Sequence, residues 1–409
     1  MNLKSSEGTS YYVSRGLVLL MAIVCGFTVA NVYLNQTLLV SMSTTFHASA
    51  ASIGIIATLT QIGYALGNLL LVPLGDMFER KKLILILLFV VCIVLALNAL
   101  SINRTWIMIA SLTLGVVTII PQIIVPLAAN LASDDNRGKV LGNVAIGLVC
   151  GILGARFISG FIDAHFGWRV VYWTAATATL LMIFLVTVYL PKSKGTNVIN
   201  YKNLLLSLGP LFIKEKVLQK ACLSPGMMFG SFSAFWTTLV FLLHTSPYSY
   251  GSAMAGLIGL VGIAGAFATP IIGRLIDRKG EKVASFLCMS TSLLAFIALT
   301  WLGYWLPGLI LGALLITVGT QANQVACQFN IFQLEVEKRS RLNGLYMVST
   351  FLGGSLGSYI GLLAWSKWQW HGVCAVAILM ITISFSSLIK SKTPERNVKS
   401  LRGKKGRNI

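Results

Sequence analysis

Gln321, Gln324 and Gln328 stand at i, i+3 and i+7 within a stretch that is otherwise apolar, a spacing that puts three side-chain amides on one helix face. Gln122 lies 202 residues before Gln324 in a similar setting. Asn31 and Asn35 share a face at i, i+4, and Gln61, Trp236, Thr237 and Thr238 fall at comparable depth in other apolar stretches. Amides and hydroxyls donate and accept hydrogen bonds but do not titrate, so this set suits recognition of a polar solute rather than proton chemistry. A polar side chain in a membrane-spanning stretch is costly unless it faces a bundle interior or a cavity. Two readings stay open for each: a tie between helices, worth about 0.6 kcal/mol, or the lining of a solute site.

Arg156 is the one charge well inside an apolar stretch. At roughly 1.5 Å per residue it lies some 24 Å along its helix, in the outer third. There an arginine can snorkel to the surface, pair with Asp163 seven residues on, or meet an anionic group of a solute.

Other chemistries lack their residues. All 12 Asp and Glu fall in loops or tails, or in one case, Asp163, at the outer end of a stretch. His47, His165, His244 and His371 all map to segments between stretches. The seven cysteines form no CxxC pair and read as small packing residues. There is no nucleophile–base pair, metal cluster or deep carboxylate pair for an enzyme, no metal or cofactor is expected, and no phosphate-cradling glycine loop couples ATP to the chain. Proton coupling, if present, has Asp163 or a loop aspartate to use.

These residues sit in a chain of 409 residues that is 56% apolar and 11% charged, with mean hydropathy +0.80. So few charges cannot cover a soluble domain. Twelve stretches reach the length of a membrane span: 16–41, 52–74, 83–101, 105–130, 139–161, 171–191, 221–243, 252–273, 283–302, 306–332, 342–364 and 372–389. They are too long and too evenly apolar for barrel strands, so the expected fold is all-α integral membrane. The first is longer than a signal peptide's apolar core and has no cleavage site after it.

The net charge of +20 is not spread evenly. With the N-terminus inside, all but four of the 32 Lys and Arg fall in cytoplasmic segments; the exceptions are Arg104, Arg169, Lys367 and Arg156. This bias places both termini in the cytoplasm. It argues for an inner leaflet of anionic lipid, not nucleic acid, as the partner of the basic residues. The expected organisation is a cytoplasmic N-terminus (1–15), a six-helix bundle (16–191), a cytoplasmic linker (192–220) with an apolar run at 204–212, a second six-helix bundle (221–389) and a basic tail (390–409).

The two bundles repeat one another. At an offset of 202, Arg137 falls on Arg339, Gly142 on Gly344, Gly151 on Gly353 and Trp168 on Trp370; one residue earlier, Asp76 falls on Asp277. Two like halves of this kind are the design of a secondary transporter, with its site at their interface.

The loop Gly273-Arg274-Leu275-Ile276-Asp277-Arg278-Lys279-Gly280-Glu281-Lys282 resembles the G-x-x-x-D-R-x-G-x-K/R signature of the major facilitator superfamily. Its mate, Val72-Pro73-Leu74-Gly75-Asp76-Met77-Phe78-Glu79-Arg80-Lys81-Lys82, keeps the aspartate and the basic end but has Val72, Met77 and Glu79 at three signature positions. The resemblance extends over about residues 15 to 390. It implies twelve transmembrane helices in two pseudo-symmetric six-helix bundles, with spans 1, 4, 7 and 10 around a central cavity. It also implies a conformational latch at Asp76, Arg80, Gly273, Asp277, Arg278 and Gly280, where an aspartate can face a helix N-terminus.

Ala30-Asn31-Val32-Tyr33-Leu34-Asn35-Gln36, Arg137-Gly138-Lys139, Gly167-Trp168-Arg169 and Arg339-Ser340-Arg341-Leu342-Asn343 look like the bacterial drug/metabolite-efflux branch. The Gly-Pro pair of efflux members is absent, since Ile152 follows Gly151. The resemblance implies a monomeric carrier in the bacterial inner membrane that exports a drug or metabolite. The alternative is uptake of a metabolite or a metal-chelating, siderophore-like compound, with or without protons as coupling ion. Its expected substrate-binding residues are Asn31, Asn35, Gln61, Gln122, Arg156, Trp236, Gln321, Gln324 and Gln328.

Overall fold

The computed structural model describes residues 14–133, 136–192, 201–214, 216–266, 280–332 and 339–389. Every regular element among them is a helix. The first half holds α1 (Arg15–Ala30), α2 (Asn35–Thr45), α3 (Ala50–Leu70), the short α4 (Leu74–Met77), α5 (Arg80–Ala99), α6 (Arg104–Val117), α7 (Ile120–Leu131), α8 (Arg137–Phe166) and α9 (Trp168–Tyr189). After α10 (Tyr201–Lys214) come α11 (Lys216–His244), α12 (Ser252–Ala266), α13 (Glu281–Leu302), α14 (Leu306–Phe332) and α15 (Arg339–Ile389). The apolar run at 204–212 lies inside α10.

Among the described residues ten segments are long and apolar enough to cross a membrane, and Ser252–Gly262 is a shorter apolar helix. The last segment, Leu342–Leu388, holds two spans, because α15 breaks its helical course at Gln369 (φ 50°). The chain is therefore a twelve-span bundle protein. Helices are what such a sequence must form, since a span in lipid has to satisfy its backbone polar groups internally. The ends are set by side chains: Ser14, Ser49 and Asn103 accept from the backbone N–H of Leu17, Ser52 and Trp106 at 3.2, 3.3 and 2.9 Å.

Two spans tighten midway. Between α1 and α2 the N–H groups of Asn31, Val32 and Tyr33 donate to carbonyls only three residues back, at 3.2, 3.1 and 2.9 Å. Between α6 and α7 the chain turns at Thr118–Ile119, just before Pro121, which has no N–H to donate. Short 3₁₀ stretches of this kind commonly mark hinges or strained positions.

Glycines set the closest crossings, and they do so alike in both halves. Gly26 of α1 lies against Gly147 and Gly151 of α8, and Gly226 of α11 lies against Gly353 of α15, with no room for a Cβ. The internal repeat is thus visible as packing. The turns that follow also match: Gly167 (φ 83°) ends α8, and Gln369, 202 residues later, has the same sign of φ.

The halves meet along two seams. α3 packs on the first span of α15, where Thr58 donates to Ser358 at 3.1 Å and the rings of Tyr64 and Phe351 stand 4.3 Å apart. α8 packs on α12, where Ser252 donates to the carbonyl of Gly160 at 3.3 Å and Gly259 sits on the Arg156 side chain. The Thr58–Ser358 contact lies away from α10, whose Tyr201 hydroxyl donates to the carbonyl of Leu70 at 2.8 Å, whereas the Tyr64–Phe351 contact lies nearer that end of α3. Towards the α10 side, Gly138, Gly142 and Gly344 have nothing within 4 Å of where a Cβ would stand. Among the described residues the contacts between the halves run along these two seams.

Candidate functional site

The junction between the halves is built on α2, α3, α8 and α11, and Arg156 is its centre. Arg156 is 1% exposed. Its Nε donates to Oε1 of Gln36 at 3.0 Å and its Nη1 to the carbonyl of Ile152 at 3.1 Å. The guanidinium carbon lies 4.4 Å from the Trp236 ring centre, 4.9 Å from Tyr33 and 5.7 Å from Phe232. A cation over aromatic faces is favourable by about 2 kcal/mol or more when desolvated. Nη2 has no hydrogen-bond partner.

Of the three fates open to Arg156, two are therefore excluded here. It does not snorkel, because the second half covers it. It does not pair with Asp163, whose Oδ2 accepts from Ser41 at 2.6 Å while Oδ1 has no partner. Seven residues apart on one helix, the two side chains are separated by roughly 10 Å of rise, and each finds nearer neighbours on α2.

Gln61 is the second tie across the junction. Its Oε1 accepts from Ser233 of α11 at 3.2 Å, and its Nε2 is buried without a partner. Asn35 donates through Nδ2 to Thr60 at 2.8 Å, which leaves its Oδ1 unpaired. Trp236 is buried, and its Nε1 is unpaired as well. α11 carries both Ser233 and Trp236 less than one turn apart, so one helix of the second half faces both Gln61 and Arg156. Three buried donors, Arg156 Nη2, Gln61 Nε2 and Trp236 Nε1, lack partners, against one unpaired acceptor here, Asn35 Oδ1.

The other expected residues spread out. Gln122 is half-buried and donates through Nε2 to the Tyr64 hydroxyl at 3.3 Å, beside the Tyr64–Phe351 seam. Gln321, Gln324 and Gln328 are half-buried on α14, and no hydrogen bond joins their side chains to Arg156. Asn31 is set apart, because it lines a groove between α1, α8 and α9. In the loops expected to form the latch, Arg80 is buried and donates through Nε to the Gly75 carbonyl at 3.1 Å. Asp76 belongs to α4, and Gly280 (φ 84°) caps α13. Gly273, Asp277 and Arg278 lie outside the described residues.

Sequence reasoning passed over Gln36, Tyr33, Phe232 and Ser233. Gln36 and Tyr33 stood inside a stretch already singled out, but nothing in spacing alone aims them at α8. No group of His, Cys, Asp and Glu able to hold a metal occurs among the described residues.

The Major Facilitator Superfamily model matches residues 18–358. The chain is 37% identical over 371 residues to YgaY, an uncharacterized transporter of Escherichia coli O157:H7, covering 89% of this chain and 93% of that one. It is 24% identical over 339 residues to a probable sugar efflux transporter of Helicobacter pylori (strain G27), covering 79% and 82%. In fold it resembles the crystal structure of a mutant of the nucleoside transporter NupG, with a TM-score of 0.73 and 15% identity over 91% of this chain and 98% of that one. With twelve spans, two repeated halves joined around a buried polar junction, and a family match over most of its length, this chain belongs to the Major Facilitator Superfamily and is a transporter.

Proposed function

We propose that the protein is a secondary active carrier of the bacterial inner membrane, with both termini cytoplasmic, that exports a small organic solute by alternating access. The observation that carries this reading is the junction itself. A buried donor without a partner costs about 1–3 kcal/mol. Arg156, Gln61 and Trp236 each hold such a donor where the two halves meet. A solute that supplies acceptors there removes that cost and binds both halves at once.

Transport then follows from the seams. Rocking the halves about the junction exposes the site to one side and then the other. The solute shifts that equilibrium by its difference in affinity for the two states. Gln122 on α7 and Gln321, Gln324 and Gln328 on α14 flank the path, and Asn31 and Asn35 lie at the tight turn of the first span. The loops at Asp76–Arg80 and Gly273–Gly280 act as the latch in this reading. Protons are the proposed coupling ion, through Asp163, whose Oδ1 is buried and unpaired.

Export is favoured by the likeness to an efflux transporter. Uptake of an anionic metabolite or metal-chelating compound is the second reading, favoured by the unpaired Nη2 of Arg156. Purified protein in sealed vesicles, loaded with labelled solute and given a gradient of either sign, separates them. Gradient-driven accumulation in inside-out vesicles supports export, accumulation only in right-side-out vesicles supports uptake, and binding without flux overturns both.

A further inference from the structure

Among the described residues nothing neutralises the charge of Arg156. Its Nε meets the amide oxygen of Gln36, its Nη1 a backbone carbonyl and its Nη2 no partner, so no carboxylate is hydrogen-bonded to it. An arginine stays protonated in a protein, and a buried charge without a counter-ion is strongly unfavourable. The packing does not require it. Five residues after the matched glycines Gly151 and Gly353, Arg156 corresponds to Ser358 in the second half. Ser358 is a buried hydroxyl tied to Thr58 at 3.1 Å and to Thr237 at 3.0 Å. The same place in the repeat is thus filled without any charge.

Gln36 is aimed at Arg156 by the backbone. It follows the tightened turn of the first span, and its N–H donates to the carbonyl of Tyr33, three residues back, at 3.2 Å. In such a 3₁₀ turn the side chains at i and i+3 eclipse. That brings the Tyr33 ring and the Gln36 amide to one guanidinium, with the ring centre 4.9 Å from its carbon and the amide oxygen 3.0 Å from its Nε. Gln36 is buried, like the arginine it holds. A glutamate has the same reach and would form an ion pair there, yet the chain carries the neutral amide.

We propose that Gln36 sets the charge selectivity of the junction: its amide orients Arg156 and, being uncharged, leaves the positive charge free for an anionic oxygen of the solute. Gln36 is a positioning residue, since it acts through Arg156. A carboxylate in its place would keep the hydrogen bond but cancel the charge, and the junction would then favour neutral solutes. This inference rests on the reading of Arg156 as a solute contact, and adds to it the residue that decides which charge the solute carries.

Thermal unfolding of the purified full chain, alone and titrated with acetate or acetamide, tests it; the two probes match in size and differ in charge. Without a probe, Gln36→Glu is expected to raise the apparent Tm by supplying the missing counter-ion, and Arg156→Gln in the same chain removes the gain. With probes, the wild type responds more strongly to acetate than to acetamide. Gln36→Glu weakens the acetate response roughly tenfold or more and leaves that to acetamide unchanged. Gln36→Leu, which removes the acceptor and keeps the positive charge, weakens acetate only severalfold and retains the preference. A merely structural Gln36 gives the reverse order, because glutamate keeps the tie that leucine breaks. An acetate response that survives Gln36→Glu, or no gain in Tm from that substitution, overturns the inference. A wild type that does not distinguish acetate from acetamide overturns instead the reading of Arg156 on which it rests.

Discussion

The guanidinium carbon of Arg156 lies 4.4 Å from the centre of the Trp236 ring, so a charge carried by the first bundle rests on an aromatic face carried by the second. Gln36 fixes the same guanidinium from α2 at 3.0 Å. An arginine held this way is oriented and desolvated, and its Nη2 has no hydrogen-bond partner. In the proposed rocking cycle the Arg156–Trp236 contact changes as the halves move, which would link solute recognition to the conformational step.

The glycines shared by the two halves divide into two classes, and substitution separates them. Gly151 and Gly353 leave no space for a Cβ against Gly26 and Gly226. Gly151→Ala and Gly353→Ala are expected to cost about 1–3 kcal/mol as overpacked sites and to lower the apparent Tm. Gly142 and Gly344, also related by the repeat, face open space. Alanine there is expected to fall within about 0.5 kcal/mol of wild type. Thermal unfolding in one detergent checks all four, and equal Tm losses would contradict the packing.

Gln324→Ala is expected to weaken solute binding about two- to fivefold with little change in Tm. The Gln324 carbonyl already accepts from Tyr346 at 3.2 Å, and the substitution leaves that bond intact. Titration of the solute by calorimetry reads the effect. Unchanged affinity would make the α14 glutamines ties between helices.

Asp163→Asn separates coupling from binding. The amide keeps the size of the carboxylate and its bond from Ser41 but cannot take up and release a proton. Solute exchange at equal pH on both sides is expected to persist, while accumulation driven by a pH gradient falls to background. Gradient-driven accumulation that survives the substitution would remove Asp163 from the coupling path.

Asp277→Asn is expected to slow transport severalfold and leave solute affinity within about threefold, because the proposed latch acts on the conformational step and not on the contacts made to the solute. Comparing initial flux with equilibrium binding gives both quantities from one preparation. A large loss of affinity with normal flux would contradict the latch role.

The architecture was legible because apolar length and repeated spacing are carried by the sequence itself. Gln122 and Gln324, Gly151 and Gly353, and the aspartates of the two loops announce the halves without any coordinates. Local breaks were legible only where a residue type forces them. Pro121 marks the turn between α6 and α7, but the tightening at Asn31–Leu34 has neither proline nor glycine. Gly167 signals its positive φ, whereas Gln369 adopts the same turn with no glycine to show it.

The site was read less fully, for a physical reason. Depth along a helix follows from residue number, so Arg156 was placed in the outer third. Whether its side chain turns to lipid or to protein depends on helices far away in sequence, here α11, and spacing within one stretch does not carry that. Gln36 and Tyr33 were missed on the same ground. Asn31 and Asn35 share a helical pattern, but the tightened turn between α1 and α2 sends one to the groove wall and the other to Thr60.

On the proposed reading Arg156 recognises acceptor-bearing solutes where the halves meet, and anions most strongly, whichever way they are carried. The most direct measurement is a thermal-shift screen of anionic, neutral and lipophilic cationic compounds against wild type and Arg156→Gln, since a ligand that binds the folded state raises its apparent stability. A hydrogen bond to a charged group is worth about 1.5–3 kcal/mol. The account predicts stabilisation by a subset of anions, with affinity for them reduced tenfold or more in Arg156→Gln and shifts from neutral compounds unchanged. Stabilisation by varied lipophilic cations, equal in both proteins, would contradict it.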